Sequence, residues 1–222
     1  MSKICAISDM HGYLPKIESC DLLLICGDNV PLKIQSSYRA SMDWYLNEFQ
    51  EWADSVPCEQ VLFICGNHEV GVEYFENELE DLFNKSDKTT FLYNSGFTFD
   101  GLNIYGTPFC KQFGNWAYME SNENLFNIYS KIPENLDILI THDVPYGYAD
   151  VLQQDVPWNN HDHIGNKPLT EAIAKKQPRY HFSGHLHSCE HGLTMIGNTK
   201  HYNVSLKDEY YKPVYEPLYL EI

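Results

Sequence analysis

Five short apolar runs in this chain each end in residues that can bind a metal or move a proton. Residues 3–8 lead into Asp9-Met10-His11, residues 22–26 into Gly27-Asp28-Asn29, and residues 61–65 into Gly66-Asn67-His68-Glu69. Residues 137–141 run into His142-Asp143, and residues 180–183 into Gly184-His185-Leu186-His187. Together they supply carboxylates, imidazoles and one amide, the mixed nitrogen and oxygen set that suits divalent transition metals. Taken singly, Asp-x-His or Gly-Asp reads as an ordinary turn, and Gly-Asn-His-Glu as a turn with a helix cap. Gly-His-x-His puts two imidazoles close together at a strand end, which is a metal signal in its own right. Recurrence behind every buried-strand pattern gives the set its weight.

Those apolar runs must be strands if the clusters are to meet. Between them lie stripes of helical spacing. Residues 38–54 place Met42, Tyr45, Leu46, Phe49, Trp52 and Ala53 on one face, and residues 73–83 do the same with Phe75, Leu79, Leu82 and Phe83. Residues 125–132 and 169–176 are shorter helical candidates. Alternation of buried strands with helices predicts an α/β fold. In open α/β sheets ligands gather beyond the carboxyl ends of the strands, so the clusters are expected to converge. Asp100-Gly101 predicts a hairpin over residues 97–105, Gly197-Asn198 turns residues 193–205, and residues 216–222 form a last strand. These antiparallel pieces beside βαβ units predict two packed mixed sheets flanked by helices. The irregular stretch 150–167 is expected to be a long loop over the site. With no repeat or linker, one domain over residues 1–222 is the expectation.

Composition narrows the function classes. The chain has 222 residues, 43% hydrophobic and 14% aromatic, enough for a large core. Its apolar runs are strand-length, well short of the ~20 residues of a membrane span, and no secretory signal is read at the start. Fifteen Lys and Arg face 31 Asp and Glu, a formal charge of −16. Such a chain repels long duplex nucleic acid, so any phosphate would have to be drawn in by bound cations. Seven cysteines, without a C-x-x-C pair, suit a reducing interior, and a cytoplasmic location is expected.

The ordered set Asp9-x-His11, Gly27-Asp28, Gly66-Asn67-His68-Glu69, His142 and Gly184-His185-x-His187 resembles the calcineurin-like metallophosphoesterases. Tyr105-Gly-Thr-Pro-Phe109, Phe113-Gly-Asn-Trp-Ala117, Thr141-His-Asp-Val-Pro145 and Gly192 are similar to the brain-239-type branch, small phosphodiesterases. The resemblance implies a four-layer α/β/β/α sandwich holding two divalent ions (Mn, Fe, Zn, Ni or Co, with Mn favoured in vitro). Asp9, His11, Asp28 and His187 would hold one ion. Asp28 would bridge to the other, which Asn67, His142 and His185 complete. Two such ions ~3.5–4 Å apart can hold a bridging hydroxide and clamp both oxygens of an in-line displacement. His68, by the same resemblance, is not a ligand but a catalytic residue facing the substrate, to protonate the leaving alkoxide or steady charge on phosphorus.

The implied activity is hydrolysis of phosphodiester bonds in small substrates, cyclic nucleotides among them. The alternatives are a phosphomonoesterase, a nuclease on short nucleic acid ends, or a non-catalytic scaffold of the same fold. Every matched ligand position carries a competent residue, which argues against the scaffold. Protein-phosphatase relatives follow Gly-Asp with Asp-Arg-Gly, whereas this chain reads Gly27-Asp-Asn-Val-Pro-Leu32, so phosphoprotein phosphatase activity is not expected. Phe113, Trp116 and Trp158 could stack a base, but packing is the leading expectation. His161 and His163 fall in the loop over the site, where a substrate role is open to them beside a purely structural one, and His181 is expected to be a satisfied core or edge histidine.

Overall fold

The computed structural model describes residues 1–222. Its first sheet holds four parallel strands, β1 (Lys3–Ile7), β2 (Leu22–Cys26), β3 (Gln60–Ile64) and β4 (Thr89–Phe91), with β13 (Leu218–Glu221) antiparallel at the edge in the order β13-β1-β2-β3-β4. The second sheet joins β5 (Ser95–Phe99), β6 (Leu102–Thr107), β9 (Ile138–Thr141), β10 (Tyr180–Ser183), β11 (Thr194–Ile196) and β12 (Thr199–Asn203) in the order β11-β12-β10-β9-β6-β5. A ribbon of β7 (Cys110–Lys111) and β8 (Met119–Glu120) stands apart.

Burial on both faces explains why the central strands are continuous apolar runs. In β2, Leu23 and Ile25 join a core with Trp44, Tyr45, Phe49, Leu79 and Phe83. Leu22, Leu24 and Cys26 point the other way, onto Ile138, Ile140 and Phe182 of the second sheet. The outer face of that sheet packs Leu139 and Tyr105 against Leu125, Tyr129, Leu169 and Ile173. The layers are therefore helices α1 (Tyr38–Trp44), α2 (Gln50–Ser55) and α3 (Glu76–Phe83), then the two sheets, then α4 (Asn122–Ser130) and α5 (Lys167–Lys176). This is the expected sandwich of two mixed sheets between helices. No helix is long and apolar enough to cross a membrane.

Two features differ from the sequence reading. The helix expected over 38–54 is interrupted by a π-helical stretch, Tyr45–Phe49, between α1 and α2. Tyr45 and Phe49, at the two ends of that stretch, both enter the core, with rings 5.9 and 5.1 Å from that of Phe63. The Tyr45 hydroxyl then accepts from Asn29 Nδ2 at 3.2 Å, beside the first-sheet clusters. Strand β4 has only three residues, too few for any periodicity to show. Residues 150–166 form no helix or strand, as expected of a long loop.

Candidate metal centre

Strands β1, β2, β3, β9 and β10 each deliver a polar cluster at the carboxyl end, and the two sheets are tied together there by a parallel bridge from Ser8 to Ser205. Asp9, His11, Asp28 and His185 adopt the left-handed backbone region, with φ of 55°, 43°, 54° and 68°. Such conformations are uncommon for residues with a side chain and persist where the surroundings enforce them. Here they do so by turning each chain sharply off the sheet, so its side chain points back across the strand ends. Gly27, at φ 98°, makes a passage open only to glycine: a Cβ there would stand 2.6 Å from His142 Nδ1 and 2.7 Å from the Cys65 carbonyl.

Six of the seven expected ligands come together as two overlapping groups, and the ring of the seventh, His185, stands 5.1 Å from that of His142. In one, Asp9 Oδ1 lies 3.2 Å from His187 Nε2, which is 3.4 Å from His11 Nε2. In the other, His142 Nε2 lies 3.3 Å from Asp28 Oδ2 and 3.0 Å from Asn67 Oδ1. Asp28 Oδ2 is also 3.8 Å from His11 Nε2, so this carboxylate faces both groups. His142 Nδ1 donates to the Cys26 carbonyl and His187 Nδ1 to that of Asp208, at 2.8 and 2.9 Å. Both Nε2 atoms are thereby turned inward, the arrangement that backbone carbonyls impose on metal-binding imidazoles.

Electrostatics agree with a cationic occupant. Burial alone would drive the His142 and His187 imidazoles down. The Asp28 and Asp9 carboxylates outweigh it and raise them to about 10 and about 9. The same contacts hold both carboxylates well below their usual range despite burial. Two protons thus occupy a space where a divalent ion would do the same work. His11 and His185 carry no such proton, since burial lowers them to about 3 and about 4. His11 Nδ1 is buried without any hydrogen-bond partner. Carboxylates, neutral imidazoles and an amide oxygen at this spacing fit divalent metal ions.

Around the expected ligands lies a supporting shell of residues with no role expected from the sequence. Glu69 is fully buried and accepts from the backbone N–H groups of Asp28, Asn29, Val30 and Gly66 at 2.5–3.1 Å. It holds the Asp28 turn in shape. Its presence in Gly-Asn-His-Glu was the only available signal. Gln35 Oε1 accepts from His68 Nδ1, leaving His68 Nε2 turned to the site, 3.9 Å from Asp28 Oδ2. Tyr211 packs edge-on against His11 and His187, 4.9 and 5.3 Å between rings. Nothing in the spacing of Gln35 or Tyr211 marks them beforehand.

A cleft of about 570 Å³ opens over Asp28, Asn67, His68, His185 and His187. Phe113, Trp116 and Trp158 line it and are 56%, 37% and 55% exposed, so the expectation that they pack inside is corrected. They sit in segments that carry no strand or helix and lean out over the site instead. Trp116 lies 4.7 Å from the His68 ring and Phe113 5.4 Å from that of His185. The 150–167 loop contributes Leu152, Trp158 and Ile164 to the wall. His161 and His163 do not line the cleft: His161 is exposed, and His163 bonds Asp150 at 2.6 Å. His181 is a core residue, bonded to Thr141 and to His201 at 2.9 Å each.

Comparison with known proteins gives the family of the chain. The UPF0046 protein K07C11.7 of Caenorhabditis elegans is 29% identical over 91% of this chain and 69% of its own length. Metallophosphoesterase domain-containing protein 1 of Homo sapiens is 26% identical, covering 100% of this chain and 71% of its own. The solved structure of TT1561 of Thermus thermophilus matches the fold with a TM-score of 0.59 at 14% identity, over 91% of this chain and 88% of that one. The family model described as calcineurin-like phosphoesterase matches residues 2–189, a span that takes in every strand end carrying an expected ligand, and the chain belongs to that family.

Proposed function

We propose that this protein is a dinuclear metal-dependent phosphodiesterase for small substrates, cyclic nucleotides among them, acting as one catalytic domain over residues 1–222. The carrying observation is the convergence of Asp9, His11, Asp28, Asn67, His142, His185 and His187 beneath a single cleft with aromatic walls. Two divalent ions held there would supply an activated water and positive charge for the phosphate oxygens. In this reading Asp28 serves both ions and the remaining six divide between them.

The cleft favours a diester over a monoester. A monoester dianion calls for a further cation, but the single lysine or arginine lining the cleft is Lys111. Its Nζ already donates to the carbonyls of Ile164 and Gly165. Phe113, Trp116 and Trp158 offer apolar surface to a second organic substituent instead. His68, with Nδ1 held by Gln35, presents Nε2 to the departing oxygen and delivers its proton. Burial lowers the His68 imidazole, and an anionic phosphate beside it opposes that shift. Seven free cysteines, six of them buried, accord with a reducing compartment such as the cytoplasm.

A substrate panel tests the reading. Purified protein with added Mn is assayed on a bis-aryl phosphate, an aryl monophosphate, 2′,3′- and 3′,5′-cyclic nucleotides, and single-stranded oligonucleotides. Diesters are expected to turn over at least about tenfold faster than the monoester, one unit of log rate being worth about 1.4 kcal/mol of barrier. Faster monoester turnover would make the protein a phosphomonoesterase, and attack on oligonucleotides alone would make it a nuclease.

A further inference from the structure

One group beside the centre belongs to no expected ligand set. Cys110 is fully buried in β7, and its Sγ lies within 4.8 Å of a ring nitrogen of His142 and one of His185, which are equally close to each other. The thiol is fixed in place from both sides. Its own N–H donates to the Tyr118 carbonyl at 2.8 Å, and the next N–H, of Lys111, donates to Asp143 Oδ2 at 2.7 Å. Its one hydrogen-bond partner is the Pro108 carbonyl at 3.4 Å, a weak sulfur contact.

The two imidazoles are prepared for a ligand. His142 Nδ1 is committed to the Cys26 carbonyl, which leaves Nε2 as the donor toward the centre. The His185 ring makes no hydrogen bond at all; this residue is anchored through its backbone N–H, which donates to both Asp9 carboxylate oxygens. Its side chain can therefore move in to meet an ion without breaking a hydrogen bond. A cation with ~2.3 Å to sulfur and ~2.0–2.1 Å to each nitrogen draws such a trio together.

We propose that Cys110 is a further ligand at the His142–His185 end of the centre, giving that position a sulfur donor and a preference for a thiophilic ion such as zinc over manganese. The proposal rests on the metal-centre reading above. As the sulfur–metal bond forms, the S–H proton leaves to solvent, as it does for any coordinating thiol. The Asp9–His11–His187 end contains no sulfur, so the two positions differ in softness and select different metals.

Cobalt reports the bond directly. The full chain is stripped with chelator, reloaded with two equivalents of Co²⁺, and its near-ultraviolet spectrum is compared with that of Cys110→Ser. The wild type should show a sulfur-to-cobalt charge-transfer band that rises with one of the two equivalents and is absent from the variant. Zinc affinity at one site should fall at least about tenfold in Cys110→Ser, and manganese affinity by less than about twofold. Two cobalt ions bound without that band, or a band unchanged in the variant, would overturn the proposal and leave the metal centre standing. Failure to bind cobalt at all would overturn the metal centre itself. Circular dichroism checks the variant's fold, with Cys110→Ala as a second substitution; if neither folds, the wild-type spectrum decides alone.

Discussion

Asp28 Oδ2 stands 3.3 Å from His142 Nε2 and 3.8 Å from His11 Nε2, and Oδ1 accepts from the His68 N–H at 2.8 Å. This carboxylate thus faces both ligand groups and is held by the backbone of His68, the proposed proton donor. Asp28→Asn is therefore expected to cost more than any other ligand change, in metal content by mass spectrometry as well as in turnover. Two ions bound at near-normal activity would remove Asp28 from the shared position. His68→Ala should keep its metals, since His68 gives none a bond, and lose proton delivery, worth typically ~10²–10⁴-fold. The loss should be large on a cyclic nucleotide, whose ribose oxygen needs the proton, and smaller on a nitrophenyl ester. Gln35→Leu should repeat that pattern in weaker form, because the His68 ring loses its hold; equal losses on both substrates would point to phosphate positioning. The convergence of the seven proposed ligands and His68 was legible in the sequence because each follows a buried run. Gln35, Cys110 and Tyr211 were illegible because only folding brings them near: Gln35 lies 33 positions from the histidine it orients.

Strand β2 has all five residues buried, and β3 likewise, since each lies between a helix layer and a second sheet. That double burial wrote the strands into the sequence as unbroken apolar runs, and Asp-Gly wrote the β5–β6 turn. The π-helical stretch was hidden, because the stripe of Tyr45 and Phe49 satisfies an ordinary helical period. The aromatic cleft was hidden as well: exposed Phe and Trp look the same in sequence as core residues. The turns that leave the strands carry the strain of the site. Gly27→Ala is expected to destabilise the chain by roughly 1–3 kcal/mol from backbone conformation alone, with more from the clash against His142 and Cys65. Metal affinity should fall with it, since His142 must move. Denaturant unfolding of the metal-free chain beside zinc titration checks both, and an unchanged midpoint would show that the turn adapts without cost.

Across the whole molecule the formal charge is −16, yet the site keeps two imidazoles protonated by pairing them with buried carboxylates. Their folded values of about 10 and about 9 stand above the ~6.5 of an unfolded histidine. The stability that these pairs contribute is thus full below pH ~6.5 and is lost as pH rises through 9 to 10. Metal takes the deprotonated imidazole, so its affinity should climb over that same range, where the metal-free chain weakens. Calorimetry of the stripped protein should show Tm falling between pH 6.5 and 10, and the loaded protein should melt higher throughout because metal binds the folded state. A stripped chain indifferent to pH would mean that the imidazoles are not paired. The most direct test follows hydrolysis of a bis-aryl phosphate while Mn²⁺ is added back to chelator-stripped protein, with bound metal counted at each step. Turnover should be absent at the start, rise as the ions bind, and level off when two are held per chain. Two ions bound with no hydrolysis, or full turnover in the stripped protein, would contradict a dinuclear metal-dependent phosphoesterase.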